Sequence, residues 1–333
     1  KLGNYFSMQY NSFNKDMSSF IHNVTMNADL NESVLSSDDL AIFAPALSDM
    51  KRIFFLQGKA KGTVDNFSAK SMIIKTGSTL FNGEVAMRGL PDINSTFIDL
   101  NAKLLQTNYT ELVTIIPALQ KVKTPSLNKL GAIKYTGKFT GFVNDFVAYG
   151  KINTSLGNLT ADLNMKLPAK GQPSYSGKLI TQGFNLGQFI NDKNLGIIML
   201  NGAIVGKNFT LDKLDANFKG QLHRLDYGGY SYQNISIDGD FENKKFKGHA
   251  SIDDPNIKIS NLDGEFNLSE KLLSFNADAN LEYINFKNIG LTKDQITLSG
   301  IFSLNFTGNN IDDFLGTASI YDANLQHDST RLS

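Results

Sequence analysis

The chain has no cysteine, no tryptophan and only seven prolines among 333 residues. Without thiols there is neither a disulfide framework nor cysteine chemistry, and the redox compartment stays open. Excess charge of one sign is missing too. The 32 basic and 32 acidic residues cancel, so no global field points to nucleic acid or to an anionic membrane surface. No apolar run approaches the roughly 18–20 residues of a membrane-spanning helix. The longest are Ile197 to Leu200 and Leu112 to Leu119. No signal peptide is visible and the first residue is Lys1. The expectation is an internal piece of a longer polypeptide, with any targeting or anchoring segment outside it.

Catalytic patterns are missing as well. His22, His223, His249 and His327 are scattered, with no second ligand at His-x3-His spacing, so solvent-facing imidazoles are expected and no metal site. Asp253-Asp254 precedes Pro255-Asn256 and reads as a turn; Asp312-Asp313 sits at a repeated turn position. There is no G-x-S-x-G, no Walker A and no G-x-G-x-x-G in a βαβ setting. The reading is a non-enzyme without cofactor or catalytic residue.

What is present is phenylalanine, 24 of them, set among Asn, Ser, Thr, Asp and Lys. That is the composition of half-buried sheets. From Leu159 to Leu167 every odd position is apolar (Leu159, Ala161, Leu163, Met165, Leu167) and every even one polar. Successive side chains of a strand point to opposite faces, so this segment has one apolar face. The same alternation runs through Val24 to Leu30, Leu56 to Val64, Phe81 to Met87, Ile98 to Leu104 and Tyr175 to Leu179. It continues through Leu214-x-Ala216-x-Phe218-x-Gly220-x-Leu222, Ile235 to Phe241, Phe246 to Ile252 and Leu262 to Leu268 with Phe266. Phe275 to Tyr283 (with Leu281) and Ile296 to Phe306 (with Phe302 and Leu304) complete the series. Period 2 over so many segments predicts antiparallel strands with one face hidden from water. Asp65-Asn66, Asn144-Asp145, Asp253 to Asn256 and Asn309-Asn310 are the turn signals between them.

Two segments carry helical spacing, Ser37 to Leu47 and Asn108 to Leu119. Their cores, D-L-A-I-F-A-P-A-L and E-L-V-T-I-I-P-A-L, lie 72 residues apart. Phe184 to Ile190 is a weaker third copy. After each comes a G-x-x-x-G strand: Gly58/Gly62, Gly137/Gly141 and Gly202/Gly206. Asp65-Asn66-Phe67 and Asn144-Asp145-Phe146 follow the first two. Phe306-Thr307-Gly308 through Phe314 echoes Phe139-Thr140-Gly141 through Phe146 with one residue inserted. The spacing gives a repeat of about 65–80 residues, with approximate copies at 36–107, 108–183, 184–283 and 284–333 in one continuous segment. Gly58, Gly62, Gly137, Gly141, Phe146 and Gly308 are its scaffold. The flanks are charged, so the glycine pairs are not membrane-helix contacts. Within a strand they share a face and predict a notch, a tight bend or a close neighbour.

The helix-then-strands repeat, the FTGFVNDF and FTGNNIDDF segments and the Asn-rich strands resemble the TamB branch of the AsmA-like envelope proteins. The resemblance covers nearly the whole chain. It implies a long, twisted antiparallel sheet folded into a U-shaped apolar groove, β-taco-like, with a few short helices. It also implies a place in the periplasm of a double-membraned bacterium, with an inner-membrane anchor and a TamA-like outer-membrane barrel partner, both reached through parts of the chain absent here. The implied activity is a bridge carrying phospholipid between the two membranes in support of outer-membrane biogenesis, with a structural or chaperone-like role in outer-membrane protein assembly as the alternative.

The residues themselves leave two uses for the apolar face. Two sheets could close on each other about 10 Å apart, or an open groove could meet acyl chains. A linear repeat with no long covering helix favours the groove, since an uncovered stripe across ~20 strands, approaching 100 Å at ~4.8 Å per strand, needs a ligand or partner. Its expected lining is Leu159, Leu163, Met165, Leu167, Leu214, Phe218, Leu222, Phe241, Phe266, Phe275, Leu281, Phe302, Leu304 and Phe306. Eleven N-x-S/T sequons occur, which a polar face rich in Asn, Ser and Thr generates without glycosylation. No nucleic-acid partner is expected.

Overall fold

The computed structural model describes residues 5–41, 51–115, 119, 120, 122, 125–209, 213–267, 273–308, 315–328 and 330–332. The expected mainly β architecture is borne out: antiparallel strands in a sheet that is not closed, with a few short helices. The chain divides into two units, Lys1–Gly171 and Gln172–Ser333. The division falls inside the stretch 108–183 assigned to one repeat.

The first unit holds β1 (Tyr5–Gln9), β2 (Thr25–Ser36), β3 (Ile53–Gly62), β4 (Asn66–Thr76) and β5 (Thr79–Arg88), then β6 (Phe97–Asn108), β7 (Ala132–Phe142), β8 (Asp145–Thr154) and β9 (Gly157–Lys166). Each pairs antiparallel with the next. Its helices are α1 (Phe13–Met17), α2 (Phe20–Asn23), α3 (Ser37–Ala41) and α4 (Tyr109–Ile115). The second unit opens with β10 (Ser174–Asn185) and α5 (Leu186–Ile190). It continues with β11 (Leu195–Lys207), β12 (Asp215–Tyr227), β13 (Tyr230–Glu242), β14 (Lys245–Asp254) and β15 (Ile257–Asn267). β16 (Leu273–Asn285), β17 (Ile296–Gly308), β18 (Leu315–His327) and β19 (Thr330–Leu332) complete it. These strands also form an antiparallel meander.

The turns follow from their residues. Asn243 and Lys244 both adopt positive φ, 50° and 65°, the two-residue geometry whose twist matches the flanking strands. Each of the three expected helices is present and precedes the strand with its glycine pair: α3 before β3, α4 before β7, α5 before β11. Their remainders beyond Ala41 and Ile115 lie largely outside the described residues, as do Leu268, the Asn309-Asn310 turn, Asp312-Asp313 and Phe314. The caps are side chains that satisfy the first N–H groups. Asp39 N–H donates to Ser36 Oγ at 3.1 Å while Ser36 N–H donates to Asp39 Oδ2 at 3.0 Å, a reciprocal capping box. Glu111 N–H donates to Asn108 Oδ1 and Gln188 N–H to Asn185 Oδ1. The pair α1–α2 has no counterpart in the sequence expectations: five and four residues long, it is too short for a periodic signal.

Strict alternation fails at one recurrent feature. Several strands carry a β-bulge that moves the inward role by one residue. The register shifts between Leu30 and Ser33, Ala69 and Met72, Ala102 and Leu105, Thr181 and Phe184, and Leu281 and Ile284. Tyr283, expected inward, is therefore exposed, and Ile284 is buried in its place.

Candidate binding surface

Register aligns the inward residues of successive strands into rows. In the first unit one row runs Met26–Gly62–Phe67–Met87–Ile98–Gly141–Phe146–Met165 and the next Ala28–Ala60–Ala69–Val85–Leu100–Phe139–Ala148–Leu163. In the second unit one row places Phe241, Phe246, Phe266, Phe275 and Phe306 side by side on β13 to β17. The first four ring centroids are 4.9, 6.1 and 5.9 Å apart in turn, within the range of favourable aromatic pairs.

These rows are covered unequally. In the first unit the strand ends that carry α3 and α4 form one rim, and in the second unit those that carry α5 and the loop after β16 do so. Leu186 of α5 packs against Ile198, Leu222 and Ile235, and Phe286 and Ile289 of the loop pack against Ile257 and Ile284. Those isoleucines and Leu222 are buried. The row near the opposite rim stays half-buried: Phe67, Met87, Phe146 and Met165 in the first unit, the five phenylalanines in the second.

The expected lining residues fall on this face, with differences of depth. Leu159, Leu163, Met165, Phe218, Phe241, Phe266, Phe275, Leu281, Leu304 and Phe306 are half-buried. Leu222 and Phe302 are buried, at 7% and 8% exposure, and belong to the packed interior rather than to an accessible lining. Leu214 lies just before β12. Leu167 lies beyond β9 and is 37% exposed; its N–H instead closes the turn by donating to the Asn144 carbonyl at 2.7 Å.

The glycine notches are filled. A Cβ on Gly150 would lie 2.6 Å from the Tyr135 ring, one on Gly83 2.9 Å from the Phe81 ring, and one on Gly206 2.9 Å from the Tyr175 ring. Large side chains occupy the space beside these glycines. Tyr135 in turn donates its hydroxyl to the Lys138 and Tyr149 carbonyls at 2.9 and 3.2 Å. Burial pushes the phenols of Tyr135, Tyr175 and Tyr232 up from their ordinary pKa, as apolar surroundings disfavour the charged form.

The opposite face is mostly polar and laced with exposed contacts, such as Lys219–Asp238 at 2.6 Å and His249–Asp263 at 3.2 Å, which solvent screening keeps weak. It also carries exposed Ile53, Phe55, Tyr149, Val205 and Ile301. Polar chemistry gathers at the helix-bearing rim. Asp254 is buried at 4% exposure; it accepts from Tyr230 Oη at 2.6 Å, Gln233 N at 3.0 Å and Asn256 N at 2.8 Å. The pair Asp253-Asp254 is thus a turn entrance, with Asp254 a satisfied interior carboxylate. Asp226 is held below the usual carboxylate range by the Arg224 guanidinium and further lowered by Ser231 and the Ile197 N–H. Among the described residues no group of three or more His, Asp or Glu comes together as metal ligands.

The connection from β1 to β2 borders an open cavity of about 720 Å³ lined by Met8, Met17, Ser18, Ser19, Phe20, Ile21 and His22. His22 Nδ1 lies 2.7 Å from Asp65 Oδ2, and Asp65 N–H donates to the Ile21 carbonyl. Asp16 ties the two short helices together: Asn11 N–H and Ser12 N–H donate to Oδ2, and Asn23 Nδ2 to Oδ1.

These features define a class: antiparallel meanders, each with one apolar face half-open at one rim, the other rim being covered in the second unit by α5 and the loop after β16. Comparison with known protein families, curated proteins and solved structures finds no match to the chain.

Proposed function

We propose that the half-open apolar face carries phospholipid acyl chains. The supporting observation is the set of apolar rows that pass from strand to strand without a buried charge. A chain sliding over them meets a nearly uniform free energy, whereas an unpaired charge would raise a barrier of several kcal/mol. The rings beside Gly83, Gly150 and Gly206 fill the gaps that those residues leave. With the family resemblance, this reading places the protein in the periplasm of a double-membraned bacterium, as a non-enzymatic segment of a lipid bridge between inner and outer membranes. Contacts with an inner-membrane anchor and a TamA-like barrel would then be made by other parts of the parent chain.

Native mass spectrometry of the purified chain tests the proposal. Bound phospholipid is expected, and Leu163→Asp and Phe275→Asp, at half-buried positions, should reduce it while leaving the circular dichroism unchanged. Absence of lipid from the wild-type chain, with normal envelope lipid balance in cells carrying both variants, would sink the idea.

One observation favours the alternative of a structural module that captures strands. Residues 315–321 of β18 pair with β17, whereas β19 meets only Leu325 to His327. Leu315 is 78% exposed and Ile320 and Tyr321 are also exposed. Such an edge suits strand addition. Proline at Ser319 or at Ile320, tested singly, removes the outward N–H in one of the two cases. Loss of partner assembly with lipid binding retained would favour that reading.

A further inference from the structure

We infer that the cavity under α1–α2 is a seat for the end of a single fatty acyl chain. The inference rests on the proposed function, and its test separates the two. Four of the lining side chains, Met8, Met17, Phe20 and Ile21, are apolar. Two serine hydroxyls and the His22 imidazole supply the polar contribution, and among the described residues no carboxylate or amine lines the space. Its volume of about 720 Å³ falls within the roughly 300–1,000 Å³ of small-ligand sites, which are likewise mostly apolar with a few polar groups. The two methionines have unbranched thioether chains that fit an alkyl chain without demanding one shape.

Continuity identifies the occupant. Met8 pairs with Met26 and Phe6 with Ala28, so one cavity wall is the first member of the row that continues through Phe67, Met87 and Phe146. A chain on that row reaches the cavity without crossing a polar strand. His22, on the lining, is held in place by the contact of its Nδ1 with Asp65. The cap is held by hydrogen bonds to Asp16 and by the Ile21–Asp65 contact, so the cavity is built into the fold.

The experiment uses the full chain and a 16-carbon fatty acid carrying a terminal diazirine. After photolysis, adducts are mapped by peptide mass spectrometry. Adducts are expected on the peptide containing Met17 to Ile21 and on β7 to β9, with Phe20→Asp lowering only the former by at least fivefold. If Phe20→Asp fails to fold by circular dichroism, Met17→Gln serves in its place. Adducts on β7 to β9 without any at Met17 to Ile21 would overturn the cavity assignment and leave the face intact. Adducts at the cap that survive both substitutions would overturn it as nonspecific labelling. No adduct anywhere would remove the proposed function as well.

Discussion

Gly62 and Gly141 show how a single residue sets the rim. Both adopt φ near +130°, at +132° and +135°, and a Cβ at either would stand 2.7 Å from the Cα of Phe67 or Phe146. The equivalence of the two sites follows from the common G-x-x-x-G and the turn after it. Gly141→Ala must accept both the unfavourable φ and the backbone clash, so a loss of about 1–3 kcal/mol is expected. The urea midpoint measures it, and an unchanged midpoint would show the turn to be more plastic than its geometry. Depth separates two leucines on the same face. Leu222→Asp places a charge among Ile198 and Ile235, and loss of cooperative folding in the second unit is expected, a cost above ~4 kcal/mol. Leu163→Asp sits at a half-buried position and should fold. Near-ultraviolet dichroism distinguishes the outcomes.

At the scale of elements, ion pairs fasten the short helices. Ser37 N–H donates to the Arg52 carbonyl at 2.7 Å and Arg52 N–H to Ser37 Oγ at 3.0 Å. The Arg52 guanidinium pairs with Glu111 at the start of α4, both only 16% exposed. Arg52 holds the Glu111 carboxyl below the ordinary value of 4.5. A carboxylate whose folded pKa is depressed contributes its stability above its unfolded pKa and loses it as pH falls through the folded one. First-unit stability should therefore decline below about pH 4.3, and Glu111→Gln should lower stability at pH 7 by about 1–3 kcal/mol while flattening that decline. Denaturant titrations at several pH values provide the check. The α1–α2 cap responds in the same direction. The Ser12 N–H, followed by that of Asn11, holds the Asp16 carboxyl below its ordinary value. Amide protection factors in residues 13–23, taken relative to intrinsic rates at each pH, should fall in acid before those of β4 and β5, and Asp16→Asn should lower them at neutral pH.

For the whole molecule, the decisive quantity is apolar surface left open. A soluble monomer usually tolerates an apolar patch of a few hundred Å². Among the described residues Phe67, Phe146, Phe241, Phe246 and Phe275 stay half-buried on that face. Added phospholipid should therefore raise the thermal midpoint and reduce binding of an environment-sensitive apolar dye, because a ligand that binds only the native state stabilises it by mass action. A midpoint unmoved by lipid would argue that the rows close on themselves in solution.

Much of this was legible in the residues. Period-2 alternation determined that the chain is built of antiparallel strands with one apolar face, because side-chain direction follows from local backbone geometry alone. Glycine pairs and Asn-Asp turns marked the same rim in β3–β4 and β7–β8 for the same local reason. Residues beyond the bulges were not legible. Ile284 takes the place expected for Tyr283 because an extra residue in a ladder is decided by its partner strand. The α1–α2 cap escaped notice because two single turns have no period. Depth across the face was also decided by tertiary structure: Leu163 and Leu222 occupy identical alternating patterns, yet α5 packs against the cluster around Leu222, while Leu163 stays half-exposed. Local chemistry set which face each side chain joins; which rows are covered depends on elements far away in the chain, and burial is a property of those neighbours.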